Sequence, residues 1–339
     1  MPAPYADGLT GFGGAVEQRR LGRGGPLVSA MGLGCMGMSE FYGASDQAES
    51  VATIERALDL GVTFLDTADM YGPYTNEQLV GRAVARRRDE VFLATKFGVV
   101  RGEDPRERRI DSTPEHARRA CEASLKRLGV DRIDLFYLHR RNPDVPIEET
   151  VGAMAELVTE GKVGYLGLSE VSAETLRRAC TTAPIAALQS EYSLFTRGLE
   201  RHILPVVREF ALALVPYAPL GRGLLTGTMS SIDALAADDV RRGHPRFRDG
   251  NLRTNLALVE RLRALAAEAG CTPAQLALAW VLAQGETVIP IPGVRRRRHL
   301  EENVASLAIR LSAEQLRSIT EALPEAAGDR APDQSRLER

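Results

Sequence analysis

Short apolar runs alternate with amphipathic stretches along most of this 339-residue chain. VSAMGLG (28–34) has the apolar content of a buried strand, and DQAESVATIERALDLG (46–61) carries apolar positions at helical spacing as far as the stop at Gly61. The unit then recurs. Strand 63–69 precedes helix 76–87, strand 91–98 precedes helix 114–128, strand 133–140 precedes helix 147–161, and strand 163–170 precedes helix 173–180. Strand 186–194 leads to helix 198–210, and strand 213–220 leads through a Gly- and Arg-rich loop to helical segments between 251 and 284. Strand 287–293 leads to a last helix near 297–306. The STPE run at 112–115 marks one helix start, with hydroxyls placed to cap and a proline in the first turn.

Apolar strands alternating with amphipathic helices build a parallel sheet. Eight such units over roughly 250 residues have the size of a closed (β/α)₈ TIM barrel. The period is structural, without visible self-similarity, and no Pro- or Ser-rich linker divides the chain. One barrel domain over 18–324 is therefore expected, with a short flexible N-terminal lead-in (1–17), a C-terminal helix, and a mobile polar tail (325–339).

Composition narrows the function classes. A net charge of -2 argues against nucleic acid or an anionic membrane as a general partner. Cys35, Cys121, Cys180 and Cys271 are scattered and form no CxxC pair, so neither a zinc site nor a disulfide framework is expected. They read as small core residues, Cys35 apart for its backbone, and His116, His202 and His244 read as surface or helix residues. No run of about 18 apolar residues occurs and the first twenty residues lack an apolar core, so a reducing, cytoplasmic setting is expected. Nothing in the sequence sets an oligomeric state.

The stretch TFLDTADMYG (63–72) ends an apolar strand in charges. A carboxylate in such a place needs a partner, and a phenol, Tyr71, and a lysine, Lys96, lie close in sequence order. Only three of the 43 basic residues are lysines: Lys96, Lys126 and Lys162. Lys96 ends a strand in a chain that writes positive charge as arginine, and its compact ammonium fits beside a carboxylate and a phenol where a guanidinium fork would not. In a barrel of this class the chemistry gathers at the C-terminal strand ends. Asp66, Lys96, His139, Ser169 with Glu170, Gln189 and Tyr217 fall on those ends one after another.

FLDTADMYG, ATKFG, DLFYLHR, GLSE, LQSEYSL, YAPLGRGLL and IPGVRRRRHLEEN, in that order from about residue 18 to 322, resemble the aldo-keto reductases, and most closely the bacterial and fungal enzymes acting on small aldehydes and ketones. The resemblance implies NADPH-dependent reduction of a carbonyl, with Asp66, Tyr71, Lys96 and His139 as catalytic tetrad and Tyr71 as general acid. An ammonium about 4 Å away at an effective dielectric of about 20 interacts by about 4 kcal/mol, which would move Tyr71 down from about 10 toward the working pH. Asp66 would keep Lys96 charged, and His139 would hydrogen-bond the substrate oxygen.

RRRRHLEEN (295–303) opens a helix with cations, which oppose its dipole by roughly 0.3 to 1 kcal/mol each and invite an anion. By resemblance Arg295 and His299 would reach the ribose phosphate of NADPH/NADP+, and Glu302 and Asn303 would hold the adenine. Ser169, Glu170 and Gln189 would bind the nicotinamide amide, with Tyr217 stacked under the ring. Gly34, Cys35, Met36, the loop with Ala218, Pro219, Leu220, Gly221, Gly223 and Leu225, and Gly293 would complete the groove. Glu170 departs from the Asn of many relatives; a carboxylate accepts from the amide nitrogen and cannot donate to its oxygen. Phe41, Met70, Phe97, Arg140 and the segment 221–250 are expected to shape the pocket.

GLGCMG (32–37) matches a GxGxxG fingerprint, yet no helix is expected at its last glycine, and no tyrosine has a lysine four residues on, so Rossmann dehydrogenases rank lower. A Schiff-base aldolase would need a neutral Lys96, which Asp66 opposes. The remaining alternative is a cofactor-binding homologue serving as a channel subunit with little turnover.

Overall fold

The computed structural model describes residues 16–102, 104, 107–333 and 338, so most of the expected lead-in lies outside the described residues. An antiparallel ribbon comes first, β1 (Gln18–Arg20) paired with β2 (Leu27–Ser29). The barrel begins with β3 (Leu33–Gly34), β4 (Phe64–Asp66) and β5 (Phe92–Phe97). A surface hairpin of β6 (Val99–Arg101) and β7 (Arg108–Ile110) follows, and then β8 (Ile133–Leu138), β9 (Val163–Ser169), β10 (Ile185–Glu191) and β11 (Ala213–Tyr217). The seven barrel strands are parallel, in the order β3-β4-β5-β8-β9-β10-β11.

The eighth position is filled by 287–293, and its two prolines give it a one-sided ladder. Ile289 and Ile291 donate to Leu214 and Pro216 of β11 at 2.8 and 3.0 Å, while Pro290 and Pro292 accept from Gly32 and Gly34 at 2.9 and 3.1 Å. Proline has no N–H to return, so the β3 seam is held by carbonyls alone. Together with the bridges Gly34–Gly293 and Leu214–Val288, these bonds close the (β/α)₈ barrel.

The helices are α1 (Gln47–Asp59), α2 (Thr75–Val84), α3 (Pro114–Leu128), α4 (Ile147–Thr159), α5 (Ala173–Thr182), α6 (Leu199–Glu209), α7 (Asp249–Glu268), α8 (Pro273–Leu282), α9 (Arg297–Ala305) and α10 (Ala313–Ala322). Local chemistry fixes their starts: Thr113 accepts from the His116 N–H, and Thr272 and Ser312 each form a reciprocal capping box. α10 lies beyond the last helix expected near 297–306. The first expected strand, 28–34, is two elements: β2 belongs to the ribbon and only β3 to the barrel.

Inside the barrel Phe64, Ala94, Leu135, Tyr137, Ala187, Ala213, Val215, Ile289 and Ile291 pack together, joined by Leu21 and Val28 of the ribbon. Gly22 sits against the carbonyl of Ala186 at the start of β10, which puts the ribbon at the N-terminal end of the barrel. That end is plugged with apolar side chains, and the polar strand ends face the other way. No single helix among the described residues is long and apolar enough to cross a membrane.

Beyond α10 the chain, expected to be mobile, lies over the polar end. Ala326 donates to the Phe195 carbonyl, Ala327 and Asn255 exchange hydrogen bonds at 2.8 and 3.0 Å, and the Arg330 carbonyl contacts His244 Nε2 at 3.0 Å. His244 is accordingly buried at 4% exposure, not a surface residue, while His202 is exposed as expected. Cys35 and Cys121 are core residues; Cys180 and Cys271 are half-buried against the core.

Candidate active site

Register brings the site together. Gly34, Asp66 and Ala94 align across β3, β4 and β5, and Lys96 sits beside Tyr137 one pair short of the end of β8. His139 continues that ladder by donating its backbone N–H to the Phe97 carbonyl at 2.7 Å. The loop after β4 is folded back by Asn76, which accepts from the Thr67 hydroxyl and donates to the Cys35 carbonyl. This turn carries Tyr71 over the strand ends.

Lys96 is fully buried, and its ammonium donates to Asp66 Oδ1 at 2.5 Å, the Thr67 carbonyl at 2.7 Å and the Tyr71 hydroxyl at 3.3 Å. All three donors are therefore used. Gln189 Nε2 donates to Asp66 Oδ2 at 2.8 Å, so both carboxylate oxygens are held. The Tyr71 ring meets the His139 ring edge-on, centroids 5.8 Å apart. The four expected tetrad residues thus converge.

Burial pulls Lys96 down, but Asp66 and Tyr71 outweigh it and hold the ammonium above the ordinary lysine value. For Tyr71 the expected direction is reversed. Burial raises the phenol, the Lys96 charge lowers it, Asp66 raises it again, and the net shift is upward. The ammonium acts on a phenol already taken out of water, where desolvation of phenolate is the larger effect. Tyr71 therefore holds its proton at neutral pH. Burial, with Arg140 and Lys96 nearby, puts His139 well below its ordinary value, so the imidazole is neutral. Its buried Nδ1 has no partner among the described residues.

A second group lines up on β9, β10 and β11. Gln189 pairs with Ser169, and Glu191 with Tyr217. The Glu170 N–H donates to the Gln189 carbonyl, and Glu170 itself takes φ 56, a left-handed conformation that a long side chain adopts only under constraint. Arg140 Nη1 donates to the Ser169 hydroxyl at 3.0 Å.

Next comes the loop from Ala218 to Leu225. Ala218, Gly221, Arg222 and Gly223 have φ of 48, 56, 56 and 96, a left-handed run in which the Gly221 and Gly223 N–H groups donate back to the carbonyls of Ala218 and Leu220 at 2.9 and 3.0 Å. Arg222 donates to Glu191 through Nη2, while its buried Nε has no partner. Pro219, Leu220 and Leu225 hold this loop against the barrel, Leu225 fully buried.

Arg295 lies beside Gly37 and donates to the carbonyls of Tyr42 and Ala44 at 2.9 and 3.0 Å. Burial and the neighbouring charges of Arg296 and Arg241 hold its guanidinium below the ordinary value, so an anion there would relieve crowding. His299 Nδ1 is 3.8 Å from Glu302 in the first turns of α9, and Asn303 is buried. At Gly34 the strands approach too closely for a side chain, since a Cβ would lie 2.9 Å from the Ile291 carbonyl and 3.4 Å from Gly293, and Cys35 and Met36 follow it.

Sequence reasoning missed the ion pairs that close the mouth. Glu191 accepts from Arg222 and Arg246, and Arg330 grips Glu170 with two bonds of 2.9 and 2.6 Å. Arg330 stands in an aperiodic polar tail with no local signal. Glu191, a charge directly after an apolar strand in LQSEYSL, had the same signal as Asp66.

The aldo/keto reductase family model matches residues 30–324. The chain belongs to the aldo/keto reductase family. This aldo-keto reductase is 45% identical to a probable aldo-keto reductase 1 of Glycine max over 311 residues, 91% of this chain and 89% of that one. It resembles the glycerol dehydrogenase of Gluconobacter oxydans with a TM-score of 0.82 at 32% identity, covering 90% and 94% of the two chains. An aldo-keto reductase of Klebsiella pneumoniae, solved in complex with NADPH, matches at 0.72 and 31% identity over 96% and 99%. The chain is thus an oxidoreductase by family, and its barrel is the family's barrel.

Proposed function

We propose that the protein reduces small aldehydes or ketones to alcohols with NADPH, with Tyr71 as proton donor. The observation that carries this reading is the chain Asp66–Lys96–Tyr71 at the polar barrel end, 2.5 and then 3.3 Å long, with neutral His139 beside it. The partnerless Arg222 Nε and His139 Nδ1 and the crowded Arg295 guanidinium support a phosphorylated dinucleotide as the ligand. Arg295 and His299 would take the ribose phosphate, Glu302 and Asn303 the adenine, and Ser169, Glu170 and Gln189 the carboxamide beside Tyr217.

Bound NADPH supplies the hydride. The protein supplies everything else. His139, neutral, presents an N–H to the carbonyl oxygen and fixes its direction. As charge develops on that oxygen, the Tyr71 hydroxyl gives up its proton, and the forming phenolate is stabilised by the Lys96 ammonium already in contact. Asp66 keeps the ammonium charged and aimed, and Gln189 keeps Asp66 from turning away. A phenol raised by burial is a stored proton, released when the alkoxide, a far stronger base, appears.

The test is NADPH consumption by the purified protein across a panel of short aldehydes and ketones. Loss of NADPH absorbance with some members and formation of the matching alcohol is the expected result. Tight NADPH binding with no consumption across the panel would contradict it and favour a binding role.

A further inference from the structure

The tail residue Arg330 has a more specific place than covering the mouth. Glu170 is 5% exposed, and a bare carboxylate there would be costly. Its Oε1 accepts from Arg330 Nη1 at 2.9 Å and from the Glu191 backbone at 2.8 Å, and its Oε2 accepts from Arg330 Nη2 at 2.6 Å. A carboxylate offers about four acceptor positions, so one remains, on Oε2. The bidentate fork also fixes the plane of the carboxylate. The tail that delivers the fork is itself anchored by Asn255, by Arg246 on the Gly328 carbonyl, and by His244 on the Arg330 carbonyl.

We propose that Arg330 is a positioning residue of the nicotinamide site: it holds the Glu170 carboxylate ionised and turned so that its remaining acceptor takes the carboxamide N–H of the coenzyme. The inference rests on the coenzyme reading above. Other groups facing Glu170 do not replace the arginine. Arg140 acts on it at longer range and is bonded to Ser169, Tyr217 is a phenol, and the Glu191 carboxylate is occupied by Arg222 and Arg246. Burial raises Glu170, and the hydrogen bonds and charge of Arg330 outweigh that, leaving the acid below its ordinary value. Without Arg330 burial is opposed only by the charge of Arg140 and the Glu191 N–H, and the acid shifts upward.

The test is calorimetric titration of the full-length protein with NADPH and, separately, with adenosine 2′,5′-bisphosphate, which lacks the nicotinamide. Arg330→Met is expected to weaken NADPH by about ten- to hundredfold near pH 6, the loss of a charged hydrogen-bonding site, and the bisphosphate hardly at all. The deficit relative to the wild type at the same pH should shrink as pH rises and Glu170 ionises again. Arg330→Lys should restore part of the affinity. In a Glu170→Gln background Arg330→Met should change NADPH binding by less than about twofold, because the two residues act as one unit.

Equal or tighter NADPH binding by Arg330→Met would overturn the proposal and make the tail a barrier that the coenzyme displaces. Equal weakening of both ligands would assign the arginine to the fold and also overturn it. A wild type that binds the bisphosphate but shows no gain from the nicotinamide half defeats this inference alone. One that binds neither ligand removes the coenzyme reading and the inference with it.

Discussion

Lys96 illustrates what one residue can disclose. Its scarcity among arginines, and its place at a strand end after FLDTADMYG, pointed to a carboxylate and a phenol, and all three groups meet as expected. The direction of the Tyr71 shift was not legible, because sequence gives proximity and not the depth of burial that decides it. Nor was Arg330, whose partner Glu170 lies 160 residues away. Replacing Lys96 by Met leaves Asp66 buried without its counter-charge, and the expected loss is about 3–5 kcal/mol of stability, read from the urea midpoint. A Met variant as stable as the wild type would mean that Asp66 is protonated and that the pair is not ionic.

At the scale of elements, alternation of apolar runs located the strands because each is buried on both faces. The 287–293 strand was legible despite its prolines, since their carbonyls still pair. The split of 28–34 was hidden, because ribbon and barrel strand are equally apolar. α2 and α3 cross where Gly81 offers no side chain: a Cβ would lie 2.2 Å from the Leu128 carbonyl. Gly81→Ala, which in an open helix would add up to about 1 kcal/mol, is therefore expected to destabilise by about 1–3 kcal/mol. A variant with an unchanged or raised midpoint would show that the helices can part freely. The start of α9 makes a functional prediction. Arg295→Ala should raise the NADPH dissociation constant about tenfold or more while leaving that for NADH nearly unchanged, as expected for the loss of one charge-assisted phosphate contact. Equal effects on both coenzymes would remove the phosphate role.

The whole molecule is a barrel sealed with hydrophobic side chains at one end and with charges at the other. Periodicity conveyed the barrel, but the cover was not legible: a polar, aperiodic segment reads as solvent-facing until its partners are known. Its anchor His244 is held down to about 4 by burial and by the nearby Arg222. The unfolded chain takes a proton on this histidine near 6.5 and the folded protein does not, so this contribution to stability is complete above pH 6.5 and is lost as pH falls toward 4. Relative to His244→Gln, the wild type should lose about 2 kcal/mol between pH 6.5 and 5, measured as the change in the difference between their unfolding free energies. A difference independent of pH would show that His244 opens to water.

The most direct measurement on the chemistry is Tyr71→Phe, which keeps the ring against His139 and removes only the hydroxyl. NADPH affinity by titration should match the wild type, while the rate of carbonyl reduction should fall by about 10²- to 10⁴-fold, the usual worth of a positioned proton donor. Reduction at the wild-type rate in that variant would contradict the assignment of Tyr71 as the acid.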